Sequence, residues 1–116
     1  MADLHTRITA EIERREEAAR DAESFCPSPW RRDGDRVIDS SGHVVVTTYT
    51  GVVDHVAPAD PADALRRYAH YRRILERHEQ VDPWRSFCSY CHEGVLWPCE
   101  DVRDIAEALN VELEDA

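Results

Sequence analysis

The sequence of 116 residues predicts an α+β fold of three helices with a small antiparallel β-hairpin. A zinc-knuckle-like turn is expected between the last two helices. Three observations lead to this prediction. Apolar residues recur at helical spacing in three segments, a β-branched run surrounds a glycine-containing turn, and two cysteines separated by two residues precede the last segment. The length is that of one domain, so we predict a single small domain over residues 1–116.

The first helix is predicted over residues 3–23. Asp3 can serve as the N-cap, and apolar residues such as Leu4, Ile8 and Ile12 recur every four residues. Glutamate and arginine occupy the other positions, several of them at the i,i+4 spacing that supports a helix. The segment is therefore expected to be an amphipathic helix with a solvated charged face.

A hairpin is predicted over residues 36–49, because β-branched runs stand on both sides of a turn at residues 40–42 that contains Gly42. Residues 52–56 are a candidate third strand. A two-stranded ribbon is only marginally stable alone, so it must pack on helices. Trp30, just before the hairpin, is the natural residue to fill that contact.

The second helix is predicted over residues 61–78, where Asp60 supplies an N-cap and Pro61 occupies the first helical position. Its apolar stripe ends at His78. The third helix is predicted over residues 100–109, because four apolar residues follow the i, i+3, i+4, i+7 pattern: Val102, Ile105, Ala106 and Leu109.

The segment 86–99 carries the candidate metal ligands. Cys88 and Cys91 can share one tetrahedral ion, and Cys99 follows at the start of the third helix, where a helix N-terminus is expected to lower a thiol pKa. His78 is the preferred fourth ligand, His92 is the alternative, and Cys26 ranks third. The residues thus predict a structural zinc site, with buried reduced thiols as the alternative.

Other chemistry at the cysteines is disfavoured. The run from Cys88 to His92 matches the attachment pattern of c-type haem, but that chemistry occurs outside the cytosol and Met1 is the sole methionine. A redox CxxC would begin a helix, whereas this pair precedes a turn containing Gly94. A zinc enzyme would keep one position for water. Because no catalytic motif is recognisable, we expect a protein that is not an enzyme and has no small-molecule substrate.

The charge pattern limits the classes of partner that the protein is expected to bind. All fourteen basic residues are arginine, against twenty-four acids, for a net charge of -10. This balance argues against nucleic acid or an anionic membrane as a generic ligand, and the lack of lysine excludes Schiff-base and P-loop chemistry. Internal ion pairs are the preferred role for the second helix's arginines, but four of them are candidate partner contacts: Arg66, Arg67, Arg73 and Arg77. No export signal or membrane-spanning run is evident, so a cytoplasmic location is expected.

The order of these features resembles a family of short uncharacterised proteins, a domain of unknown function found in actinobacteria and their phages. The matching features are a charged first helix, a Trp-led hairpin, an Arg-Arg-Ile-Leu helix ending in His78, a CxxC, and a Trp-Pro-Cys before the last helix. Ala59 and Asp63 depart from the family's usual residues, and a short acidic tail replaces its longer C-terminal end. The resemblance implies that His78 and the three cysteines belong to the family's layout, which favours His78 over His92.

Together these observations predict a small zinc-stabilised protein-interaction module of the cytosol, encoded by a phage, that binds a host or phage protein. Residues 81–116 carry nine acids and two arginines, so the acidic C-terminal third is the expected partner surface. The alternative is a role linked to nucleic acid. The acidic surface would then mimic DNA and inhibit a DNA-binding protein, or the arginine-rich helix would contact DNA locally.

Overall fold

A computed structural model describes residues 3–79, 88–91 and 95–113, apart from the side chains of residues 50 and 55. The fold is mixed α+β, as predicted, and the described residues form four helices where three were expected. A three-stranded antiparallel sheet stands in place of the simple hairpin. In chain order the elements are α1 Leu4–Phe25, β1 Arg31–Asp33, β2 Arg36–Ile38, β3 Val44–Thr47, α2 Thr50–Val56, α3 Pro61–Arg77 and α4 Glu100–Ala108.

The described chain divides into two compact units. The first combines residues 1–14 with 69–116, and the second comprises residues 15–68. Helices α1 and α3 contribute residues to both units. None of the described helices is both long enough and apolar enough to span a membrane. The single domain expected from the sequence stays a prediction.

The first unit has an apolar core made by three helices. In α1, Ile8 and Ile12 are fully buried, and in α3 Leu75 is 2 % exposed. Helix α4 buries Val102, Ile105 and Ala106, and its C-cap residue Leu109 is buried as well. The i, i+3, i+4 spacing of these residues places them on one helix face, so burial against the core accounts for the helical pattern in the sequence.

Helix α1 begins with the cap that the sequence predicts. The backbone N–H of Thr6 donates to Asp3 Oδ1 over 2.8 Å, which satisfies one of the amides that a helix start leaves without a partner. The hydrogen bonds from Thr6 hold the pKa of Asp3 below its ordinary value. The charge of Asp3 therefore lies at the positive end of the helix dipole.

The sheet of the second unit has the order β1-β2-β3, with β2 in the centre. Val37 and Ile38 of β2 are buried, and the turn to β3 is closed by Asp39, whose Oδ1 accepts from the N–H groups of Ser41 and His43. Gly42 has a φ of 85°, which glycine adopts without strain. Strand β1 was missed because its Arg-Arg-Asp sequence has no strand signal; its three residues are exposed and are held by pairing with β2.

The candidate third strand at residues 52–56 is wrong. These residues lie in helix α2, and the N–H of Ala57 donates to the carbonyl of Val53 over 3.0 Å, in the i to i−4 pattern of a helix. The pair of valines suggested a strand, but Val53 is fully buried while Val52 is 45 % exposed. Burial on one face of a short helix outweighs the β propensity of valine here.

Asp60 lies just before the first residue of α3 and is a buried carboxylate with two roles. Its Oδ1 accepts from the N–H of Asp63 over 2.8 Å, and its Oδ2 accepts from the N–H of Trp30 over 3.2 Å. The indole of Trp30 donates in turn to the carbonyl of Cys26 over 2.8 Å. Asp60 thus caps the helix and also ties it to the residue that leads into the sheet.

Asp60→Ala is expected to lower the free energy of unfolding by about 2 kcal/mol, because it removes the cap and leaves the N–H of Trp30 without its acceptor. Asp60→Asn keeps an oxygen at the cap and should lose less than half as much. Urea denaturation of the two variants measures the difference. Equal losses would contradict a capping role for Asp60.

Candidate metal centre

His78 lies one residue beyond the end of α3 and is 3 % exposed. Its backbone N–H still donates to the carbonyl of Ile74 over 3.1 Å, so the helical geometry of α3 extends to this residue and fixes its direction. The core position of Leu75 lies one turn before it. The side chain of His78 is therefore positioned by a packed helix.

The end of α3 is fastened to the CxxC segment by Ser89. The Ser89 hydroxyl accepts from the N–H of Glu79 over 3.0 Å and donates to the carbonyl of Arg77 over 3.2 Å, while the Ser89 N–H donates to the carbonyl of Glu79 over 2.7 Å. The N–H of Cys88 donates to the carbonyl of Val95 over 3.0 Å. The three hydrogen bonds of Ser89 hold the segment against Arg77 and Glu79, the residues on either side of His78.

Cys99 is the N-cap residue of α4, with φ −71° and ψ 169°. Its thiol faces the N–H of Val102, and the following Arg103 donates from Nε to the carbonyl of Pro98 over 3.0 Å. Cys99 is 3 % exposed. The start of α4 thus supplies a buried thiol in a fixed place.

The four side chains converge on one point. His78 Nδ1 lies 3.3 Å from the sulfur of Cys88, 3.5 Å from that of Cys91 and 3.4 Å from that of Cys99. All four donor atoms lie within 4.8 Å of one another. A tetrahedral zinc ion with its usual bond lengths separates a nitrogen and a sulfur ligand by about 3.5 Å. The donor set and its spacing therefore fit a tetrahedral metal ion.

The other nitrogen of His78 faces a carboxylate. Nε2 lies 3.5 Å from Oδ2 of Asp101, in the first turn of α4. A histidine that binds a metal through one nitrogen usually donates from the other to a carboxylate or carbonyl, which fixes the ring and its tautomer. Asp101 supplies that partner here, with Nδ1 left to face the three sulfurs.

The thiols differ in acidity in the metal-free protein. Burial opposes ionisation of Cys88, but hydrogen bonds from the N–H groups of Cys91 and Tyr90 and from His78 lower its pKa to about 7. Burial and the neighbouring thiols raise the pKa of Cys91 to about 12. The N–H of Val102 at the start of α4 lowers the pKa of Cys99, as expected, but burial outweighs it and the net shift of this pKa is upward.

The chain matches a known protein family. The model of a family of unknown function, DUF6221, matches residues 1–109. The chain belongs to this family. No curated protein and no solved structure matches the chain.

In this DUF6221 protein the three candidate cysteines lie together with the preferred histidine. They form one cluster that could hold a metal ion: His78, Cys88, Cys91 and Cys99. His92, the alternative ligand, lies outside the described residues. Cys26, the third choice, is a half-buried free thiol that belongs to the second unit and not to this cluster.

The candidate partner-contact arginines of α3 have neighbours of their own. Arg66 and Arg67 both lie near the carboxylate of Asp63, at 3.4 Å and 3.3 Å. Arg77 donates from Nε to the carbonyl of Arg73 over 3.3 Å. The ion pairs of Arg66 and Arg67 agree with the expected role of the arginines in internal ion pairs, here with an acid of the same helix, and all four side chains are exposed.

Three neighbours of the cluster were not found from the sequence. Tyr90 meets the His78 ring edge-on at 4.8 Å between centroids, and Arg77 lies 5.5 Å from the centre of the Tyr90 ring. Ser89 and Asp101 are the other two neighbours, beside Tyr90. Ser89 has no sequence signal beyond its place inside the CxxC, and Asp101 has none beyond its place at the start of the last helix.

Proposed function

We propose that this DUF6221 protein is a zinc-stabilised protein-interaction module. The observation that carries the proposal is the convergence of three sulfurs on Nδ1 of His78 at 3.3–3.5 Å. Thiolate and imidazole together select zinc among the common divalent ions of proteins. Reduced thiols are maintained in the cytosol, which supports a cytoplasmic site of action, in a host cell if the protein is encoded by a phage.

The zinc has a structural role in this proposal. Four protein ligands complete a tetrahedron and leave no position for a reacting water, which favours a structural centre over an enzyme. The ligands come from the end of α3, the CxxC segment and the N-cap of α4. One ion therefore joins the ends of two helices and the segment between them, all within residues 78–99, in a unit with a small apolar core.

Zinc affinity should rise with pH. Zinc requires thiolates, and the raised pKa values of Cys91 and Cys99 mean that zinc must displace their protons at neutral pH. With at least two protons released, the association constant should grow roughly 100-fold for each pH unit between pH 6 and 8. Competition with a chromophoric chelator of known pH dependence measures it. An affinity that is constant over this range would contradict thiolate ligation.

The partner surface in this proposal lies beside the metal centre. Tyr90 and Leu96 are 61 % and 62 % exposed, and Tyr90 lines a cleft together with Glu100 and Asp101. Among the described residues, the sequence after Leu96 contains five acids and one arginine, Arg103, all in the same unit. The acids are Glu100, Asp101, Asp104, Glu107 and Glu112. An apolar patch next to acidic groups suits a partner protein that offers apolar and basic side chains.

The acidic surroundings also favour a protein partner over direct contact with DNA. The acids near Tyr90 would repel phosphates, and Arg66 and Arg67 already share the carboxylate of Asp63. A basic DNA-binding protein remains one kind of partner that this surface would attract.

Capture from an extract of the source cells tests the interaction. The immobilised protein should retain a basic protein that is released by salt, and Leu96→Ser and a Tyr90→Ser, Leu96→Ser double variant should retain at least about tenfold less. Tyr49→Ser is the matched control, because Tyr49 is 85 % exposed but belongs to the second unit. Unchanged retention by the double variant, with its zinc content intact, would sink the proposed surface.

A further inference from the structure

The three cysteines of the cluster differ in their access to solvent. Cys88 and Cys99 are 5 % and 3 % exposed, whereas Cys91 is only partly buried. An open cleft of about 530 Å³ lies beside the cluster, and its wall includes Cys91 and Cys99 as well as His78, Tyr90 and Glu100. Because Cys91 is the more exposed of the two cysteines in this wall, a small molecule in the cleft reaches Cys91 more readily than Cys99.

From this asymmetry we infer that Cys91 is a modification site, the thiolate through which hydroperoxides oxidise the centre and release its metal. The inference rests on the proposed zinc site. A zinc-bound thiolate stays deprotonated at neutral pH and keeps the lone pair that attacks an electrophile. Cys88 and Cys99 are buried and expose less of their surface to that attack. Of the two cysteines that line the cleft, Cys91 is the more exposed.

The reaction needs one peroxide and two of the thiolates. The Cys91 sulfur attacks the terminal peroxide oxygen, the O–O bond breaks, and Cys91 becomes a sulfenic acid. The departing hydroxide, or the alkoxide of an organic hydroperoxide, takes a proton to give water or an alcohol. The thiolate of Cys88 or Cys99 then attacks the Cys91 sulfur, the S–S bond forms, and a second hydroxide leaves as water after protonation. Two thiolates lose two electrons in all, and the peroxide gains them.

The geometry suits the second step. The sulfurs of Cys88 and Cys99 lie within 4.8 Å of the Cys91 sulfur, so a small movement brings either into bonding distance. Disulfide formation removes two of four ligands at once, and His78 with one remaining thiolate cannot hold zinc tightly. The ion leaves as Zn²⁺ with its charge unchanged. Because the metal joins α3 to α4, oxidation at Cys91 would loosen the partner surface around Tyr90 and Leu96.

The test uses the zinc-loaded protein carrying Cys26→Ser, so that every remaining thiol belongs to the centre. Brief treatment with iodoacetamide, followed by peptide mass spectrometry, should label Cys91 at least about tenfold faster than Cys88 or Cys99. In guanidinium with chelator the three cysteines should react at similar rates. Addition of hydrogen peroxide should then release one zinc for each disulfide formed, with Cys91 in every disulfide, and dithiothreitol plus zinc should restore the centre.

Two results would overturn the inference and leave the zinc site standing: labelling of Cys88 or Cys99 ahead of Cys91, or oxidation of Cys91 with the zinc retained. A protein that holds no zinc before peroxide is added would overturn the proposed function along with it. Cys91→Ser gives a second check, because in any zinc-bound fraction of this variant peroxide should release zinc at least about tenfold more slowly.

Discussion

Cys99→Ser is expected to lower the free energy of unfolding of the zinc-loaded protein by about 4 kcal/mol or more, since loss of a structural metal is among the largest single-residue effects. Cys99 is 3 % exposed and its sulfur lies 3.4 Å from Nδ1 of His78. A serine hydroxyl is a poor zinc ligand, so the variant keeps three ligands at a site built for four. Denaturation in buffer with zinc measures the loss.

Without metal, the same substitution should no longer lower the free energy of unfolding. Cys99 occupies the N-cap of α4 and makes no side-chain cap hydrogen bond there, whereas serine is a preferred N-cap residue. With chelator present, Cys99→Ser should equal the unchanged protein or exceed it in stability by up to about 1 kcal/mol. Cys26→Ser, outside the cluster, should show no dependence on zinc. A loss at Cys99 that is the same with and without zinc would contradict metal binding.

Leu75→Ala is expected to cost about 3 kcal/mol, the usual range for a buried leucine being roughly 2–5 kcal/mol. Leu75 is 2 % exposed, and its backbone carbonyl lies 3.0 Å from Nε2 of His5 in α1. Removal of its side chain leaves a cavity one turn before His78, so zinc affinity should fall together with stability. Denaturation and the chelator competition measure the two effects.

Leu96→Ala is the matched control for that experiment. It deletes the same atoms at a position that is 62 % exposed, and its effect on stability should lie within about 0.5 kcal/mol. Similar losses at Leu75 and Leu96 would contradict the assignment of one to the core and the other to the partner surface.

The long helices could be predicted because each carries several independent signals. In α3 these are the cap at Asp60, the proline at position 61 and a wide apolar stripe, and the structure places the helix at Pro61–Arg77. In α4 the buried residues follow the predicted pattern from Val102 onward. Periodicity over two or more turns is a signal that tertiary packing rarely overrides.

The short elements could not be predicted in the same way. Strand β1 has three exposed polar residues and exists because β2 pairs with it, and α2 contains valines whose propensity points to a strand. For elements of three to seven residues, the partners across the fold decide the conformation, and a single sequence does not specify those partners.

The ligands of the cluster could be predicted from the sequence, but the residues that support them could not. The CxxC spacing and the thiol beside Pro98 point to one ion, and the end of a helix at His78 offers a fourth donor. The supporting contacts of Ser89 and Asp101 depend on where the chain returns to α3, which no local pattern encodes. The acidity of the thiols likewise depends on burial, which at Cys99 outweighs the lowering of the pKa by the helix N-terminus.

Native mass spectrometry of the protein, purified without chelators and in the presence of a reductant, tests the central claim most directly. The account predicts a single species whose mass exceeds that of the chain by one zinc ion, and conversion of that species to the bare chain after acid treatment. A bare chain that takes up no zinc when the ion is added at stoichiometric concentration would contradict it.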